Sequence, residues 1–528
     1  MNRREFLGQS TALLAGLAVT PLARSLSLEG FATDSTGQRF AEGYVFHGSG
    51  ARKQGQKGIA GVGVSNGRDV VKTDRNGYWR LPVTDDTILF VIKPSGWQVP
   101  MGTSNLPNYY YIHKPKGSPE FKYPGVAPTG SLPQSIDFGL MPHKESDRFK
   151  MVLFGDPQPR SQEEIDYMTH DIIEQLALEV AEQKPVFGLS LGDEMFDVLS
   201  LYENQNSVIS TLGLPWYNTV GNHDMNYDAL DDSTSTETFQ RVFGPTYYAF
   251  NYGKVHFIVL DDVIWHGKDA AGYHGEITER QLEFVKNDLA HVPLDRLVVV
   301  AMHIPLPDVK NKEALLALIQ NRPHTFSLSA HTHVQANLFL GEKDGWKGSG
   351  THHHLNHATV CGSWWDGSPD ERGIPHATMA DGAPNGYSIV EFIGNKYKVN
   401  FRAASRPASD QMAIWIPNEV ARAGLGATEV IVNVYAGSER SKVFIKVGDV
   451  SFALENFEGQ DPYYLELKKL EAGPAVPPGR KLPAAAKTKH LWKGKLPATL
   501  AKGAHSVEIQ TTDMYGQTFS ERRILHVV

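Results

Sequence analysis

Five short motifs between residues 155 and 333 carry the side chains best suited to chemistry. They are Gly155-Asp156-Pro157-Gln158, Gly192-Asp193-Glu194, Gly221-Asn222-His223-Asp224, Met302-His303 and Ala330-His331-Thr332-His333. Asp156, Asp193, Asn222, His303, His331 and His333 supply carboxylate and amide oxygens and imidazole nitrogens. That donor set suits divalent ions, with imidazole favouring Zn, Fe or Mn. Two such ions about 3.5–4 Å apart clamp a phosphoryl group, so the chemistry indicated is hydrolysis of a phosphate ester. A shared anionic oxygen would offset the repulsion between the ions, and Asp156 and Asp193 both qualify on charge. In an extended segment His331 and His333 point to the same side, one ring toward each ion. Each ring then needs an acceptor on its other nitrogen. A single Asp after Gly is more often a turn residue; it is the five motifs together that carry the signal.

Each motif follows an apolar run. Phe149–Phe154, Val186–Leu191, Pro215–Val220, Leu297–Ala301 and Thr325–Ser329 read as strands, and Val255–Leu260 as a further one. Gln162–Glu182 and Ile277–Leu289 carry apolar residues at helical spacing. Residues 146–400 are therefore predicted to form an α/β domain, in which ligands gather at the carboxyl ends of strands. Residues 38–105 hold short alternating runs broken by Asn66-Gly67 and Asn76-Gly77, the pattern of a small β-sandwich. Residues 106–145, rich in Pro, Gly, Lys and Tyr, read as a connector. Residues 401–528 return to strand patterns and read as a second sandwich, with a long Pro/Ala/Lys-rich loop over residues 468–489.

The motif set resembles the calcineurin-like metallophosphoesterases, whose pattern is D-x-H, G-D, G-N-H-D/E, a lone His and G-H-x-H. The resemblance covers roughly residues 149–390. It implies a four-layer α/β/β/α sandwich and a centre of two divalent ions (Mn, Fe, Zn, Mg or Ca). By the same resemblance Asp156 and His333 bind the first ion, Asp193 bridges, and Asn222, His303 and His331 bind the second. A metal-held hydroxide would attack phosphorus, while His223, oriented by Asp224, contacts substrate or protonates the leaving oxygen. The chain departs from the pattern at Gln158, which stands where a histidine is usual and whose amide oxygen is a weaker neutral ligand for the first ion. Ala330 replaces a glycine, a small-for-small exchange. Asp197, four residues after Asp193, is expected to orient the loop. The phrase from Gly58 through Asn66-Gly67 to Leu81 resembles transthyretin-like or carboxypeptidase-regulatory domains, and the C-terminal sandwich is similar to Ig-like domains.

Other features bound the function. The net charge of −8 and the absence of a basic stripe argue against a nucleic-acid partner. The single cysteine, Cys361, excludes an intramolecular disulfide and reads as a buried inert thiol. Arg3-Arg4-Glu5-Phe6-Leu7 before the apolar stretch 11–23 resembles a twin-arginine export signal over residues 1–30. The resemblance implies a location in the periplasm or outside the cell, and no transmembrane segment is expected in the mature chain. His352, His353, His354 and His357 read either as a third metal or phosphate patch or as loop and core. Trp364 and Trp365 read as ring-stacking or core residues. The expected substrate is a phosphorylated small molecule or lipid headgroup, cleaved as a mono- or diester. The alternatives are a protein Ser/Thr phosphatase of the same fold and a binding protein whose metal site has degenerated at Gln158.

Overall fold

The computed structural model describes residues 37–528 except Ala271 and Ala475, so the expected export signal lies outside the described residues. Two sheets packed face to face form the middle of the chain. The first runs in the order Trp216–Asn218, Phe187–Ser190, Arg148–Phe154, Gly386–Ile393, Lys396–Ala403. Its first three strands are parallel and its last two antiparallel. The second runs Tyr248–Tyr252, Val255–Val259, Leu297–Ala301, Thr325–Ser329, His352–Asn356, Ala336–Leu340, with the four inner strands parallel.

Side-chain alternation along one strand shows why these residues form layers. Met151 and Leu153 join the core between the two sheets, where Phe187 meets Phe257 edge-on at 5.4 Å. Val152 and Phe154 point the other way, into a cluster with Met168, Ile172, Leu176 and Ile209 from the flanking helices. Phe284, Val285, Leu315 and Leu316, on helices Glu279–Leu289 and Lys312–Ile319, join the core of the second sheet. The result is helix, sheet, sheet, helix. The helical run from Gln162 to Gln183 is continuous but contains a π-helical turn at Thr169–Ile173.

Two β units flank this domain. The N-terminal one has two four-stranded sheets. It takes strands Tyr110–His113 and Phe138–Pro142 from the segment expected to be a connector. Those strands are four and five residues long, too short for their alternation to stand out among prolines. The C-terminal unit packs a four-stranded on a five-stranded sheet around Ile414, Val432, Ile445 and Leu525. Part of its expected loop is helical instead. Pro462–Ala472 is an α-helix with Asp461 capping the Tyr464 amide and proline in its first turn. Among the described residues no helix is long and apolar enough to cross a membrane.

Candidate metal centre

All five motifs lie just past the carboxyl ends of parallel strands, and the two sheets bring them together. Asp193, His303 and His331 present donor atoms that all lie within 4.8 Å of one another. His303 Nε2 is 3.3 Å from Asp193 Oδ1, 3.1 Å from Asn222 Oδ1 and 3.1 Å from His331 Nδ1. Asp156 Oδ2 lies 3.2 Å from His333 Nε2. The outer ring nitrogens are fixed as metal-binding rings require: His303 Nδ1 faces the Leu191 carbonyl at 2.8 Å and His333 Nδ1 the Gly362 carbonyl at 2.6 Å. Nδ1–H therefore donates to the carbonyl in each ring, which leaves Nε2 as the nitrogen facing inward.

The donor set fits divalent cations on three counts. Asp156 Oδ2 is buried and has only the His333 ring, 3.2 Å away, to meet its charge, and an unpaired buried acceptor costs about 1–3 kcal/mol or more. Burial works against charge on His303, but Asp193 beside it pushes the ring up to about 10. Burial would likewise raise Asp193, yet the charges of His303 and His223 hold it well below the usual carboxylate range. The pocket thus demands positive charge, which a cation would provide while displacing ring protons.

The backbone is bent to make this convergence. Of the thirteen non-glycine residues with positive φ among those described, eight belong to the site and its rim: Asp156, Gln158, Asp193, Asp197, His331, His333, Trp364 and Trp365. Such conformations cost on the order of 1–3 kcal/mol each and cluster at functional sites. His331 (φ 70°) and His333 (φ 53°) therefore face the centre through a left-handed turn, not through the extended segment expected. The glycines permit close approach. A Cβ on Gly221 would stand 2.2 Å from Asp193 Oδ1, and one on Gly192 2.6 Å from His303 Nδ1.

Two expected roles change hands. Asp224 does not orient His223. Its buried carboxylate accepts from the Gly221, Glu194 and Met195 amides and from the Tyr202 hydroxyl, which ties two of the motif loops together. Burial, then the Asp193 charge, pushes its carboxyl up to about 7. The partner of His223 is Asp197, 2.6 Å from Nδ1. The loop reaches that position because Asp197 itself adopts φ 63°. The His223 ring stacks on Phe196 at 4.2 Å, and its amide donates to Asp193 Oδ1 at 2.8 Å. With Nδ1 engaged, Nε2 is the nitrogen left for the cleft. Burial disfavours its charged form, but Asp193 and Asp197 outweigh this and raise its pKa.

Gln158 also differs from the ligand expected. Its amide oxygen accepts from Trp364 Nε1 at 2.6 Å, and its NH₂ donates to Asp193 Oδ2 at 2.8 Å. An indole N–H only donates and a carboxylate only accepts, so this orientation is fixed from both ends. Gln158 steadies Asp193 instead of offering an oxygen inward.

Sequence reasoning missed Asp262, whose Oδ1 accepts from the His303 and Ile304 amides, each at 3.1 Å. The available signal was its place after the apolar run 255–260. His352, His353 and His354 do not approach the centre. They form a buried strand bonded to Ser327, Ser329, Tyr397 and Asn337. His357 is buried against Ser388 at 2.7 Å. Cys361 is buried, and burial raises its thiol pKa.

The geometry agrees with what known proteins show. The family profile described as "Calcineurin-like phosphoesterase" matches residues 149–335. Profiles for the N terminal and the C terminal of calcineurin-like phosphoesterase match residues 47–124 and 354–519. The chain belongs to the calcineurin-like phosphoesterase family. This calcineurin-like protein is a metal-dependent phosphoesterase with additional β domains on both sides of its catalytic domain. A solved structure of the purple acid phosphatase PPD1 from yellow lupin (Lupinus luteus) seeds is similar at 13% identity, with a TM-score of 0.36, over 71% of this chain and 68% of that one. A search of curated proteins finds no match.

Proposed function

We propose that this enzyme holds two divalent ions and hydrolyses phosphate mono- or diesters of small molecules. The observation that supports the reading is that two donor groups gather with Asp193 at one cleft, joined where the His331 amide donates to Asp156 Oδ1 at 3.1 Å. Asp156 with His333 forms one, and Asn222 with His303 and His331 the other. Bound cations supply charge neutralisation at the phosphoryl oxygens and an activated water. The chain's own residues do the rest. Asp193, held by the Gln158 NH₂ and the His223 amide, would serve as the shared anion. His223, whose protonated form Asp197 favours, would deliver its Nε2 proton to the departing oxygen. Asp197 holds that ring as acceptor, and Asp224 fixes the loops that carry both.

The cleft over the centre, about 260 Å³ in volume, admits a small molecule, which favours a small ester over a phosphoprotein. The pair of arginines and the short apolar run at the start of the chain support export by the twin-arginine route. The test is hydrolysis of an aryl phosphate by the purified chain, stripped and then reloaded with Mn, Fe, Zn, Mg or Ca in turn. Activity that returns with metal supports the proposal. Activity that survives stripping, or that persists in Asp193→Asn, defeats it.

A further inference from the structure

The cleft has a wall that phosphate chemistry does not require. Trp364 lines it, half-buried, with its ring 4.2 Å from that of His333. Trp364 and Trp365 both adopt positive φ, at 56° and 49°. For a bulky residue that conformation is a true outlier, so the surrounding structure must impose it. It does so from several sides. Trp365 is buried and donates to Asp171 Oδ2 at 3.3 Å. The Ser363 amide bonds the Ala377 carbonyl at 3.1 Å, and Arg160 donates to the Trp364 carbonyl.

The C-terminal unit reaches over to the same loop. Arg480 pairs with Glu164 at 3.0 Å and Asp366 at 3.2 Å, the two carboxylates that also bind Arg160. Gly479 (φ 125°) lies so close that a Cβ there would stand 2.4 Å from the Gly367 carbonyl. The strap continues to Pro483, which lines the cleft while its carbonyl accepts from Tyr464 at 3.0 Å. Among the described residues that line the cleft there is no lysine or arginine. A second phosphate group would find no lysine or arginine there.

We propose that Trp364 and Pro483 form a leaving-group subsite that takes an uncharged, ring-bearing group on a singly phosphorylated ester. The inference rests on the hydrolase reading and names the substrate class for it. The strain in the 362–366 loop serves to present one indole face, and the strap from the C-terminal unit brings Pro483 to the same cleft.

The test compares adenosine 5′-monophosphate with ribose 5-phosphate on the metal-loaded enzyme. Both release the same kind of primary alcohol, so a difference in kcat/KM reports the ring alone. Base-on-aromatic stacking predicts a preference of roughly tenfold for the nucleotide. In Trp364→Ala the ratio should fall toward one. Loss of the Gln158 hydrogen bond in that variant disturbs both substrates alike and cancels in the ratio. Adenosine 5′-triphosphate should be the poorer substrate, and adenosine, unlike ribose, should inhibit competitively and quench tryptophan fluorescence. A wild-type ratio near one, or a ratio unchanged in Trp364→Ala, overturns the subsite. Failure to hydrolyse any ester with any metal overturns the hydrolase reading instead, and adenosine quenching lost in Trp364→Ala would then still support the ring site.

Discussion

Replacing His223 with alanine should separate substrates by the basicity of their leaving groups. The ring sits on Phe196 at 4.2 Å, its Nδ1 is held by Asp197 at 2.6 Å, and Nε2 is free for the cleft. A positioned general acid contributes about 10²–10⁴-fold. That loss should appear in kcat for an alkyl phosphate, whose alkoxide must be protonated as it leaves. It should be at least about tenfold smaller for a nitrophenyl phosphate, whose phenolate leaves unaided. Asp197→Asn keeps an acceptor for Nδ1–H and loses only the charge. Because the Asp197 side chain is 39% exposed, that charge is worth no more than about 1 kcal/mol, roughly fivefold. The pH profile follows in sign. With cations on Asp193, Asp197 is the carboxylate left to favour the protonated ring, so the acid is present below the His223 pKa. Alkyl-ester activity should decline as pH rises through it, and in Asp197→Asn the decline should begin at lower pH. Steady-state kinetics on the two esters from pH 5 to 9 provide the assay. Equal losses on both esters in His223→Ala would refute proton donation and leave His223 a substrate contact only.

Two further outcomes are expected. Gln158→Ala removes the donor to Asp193 Oδ2 and the acceptor for Trp364; metal affinity in chelator competition should weaken about 10–100-fold, as for other lost outer partners of ligands. The buried histidine strand should make the fold acid-sensitive. Burial lowers His352 and His357 to about 4 and His353 to about 3, so the unfolded chain takes up protons near 6.5 that the native one refuses. Stability is then complete above pH 6.5 and falls as pH drops toward 4, by on the order of 2–3 kcal/mol per histidine. Melting temperatures measured across that window should fall less steeply in His353→Phe.

Much of the site was legible because its signals are local. An apolar run that ends in Gly-Asp or Gly-Asn-His marks both the strand and the residue at its mouth, and Gly192 and Gly221 are needed where Asp193 and His303 crowd them. What stayed hidden depends on contacts distant in sequence or on the path of a turn. The left-handed turn at Asp197, and not the adjacent Asp224, brings a carboxylate to His223. The role of Gln158 is set by Trp364, 206 residues later. The histidine run 352–354 looked like chemistry, yet it is a strand whose rings bond serines, an asparagine and a tyrosine inside the second sheet. Strands of four or five residues among prolines, as at Tyr110–His113, give too few alternations to be read.

The central claim is that two divalent ions share Asp193. Anomalous scattering from crystals of the metal-loaded enzyme tests it most directly. Two peaks per chain are expected, one beside Asp156 and His333 and one beside Asn222, His303 and His331, with Asp193 between them. A single peak, or metal bound away from Asp193, would contradict it.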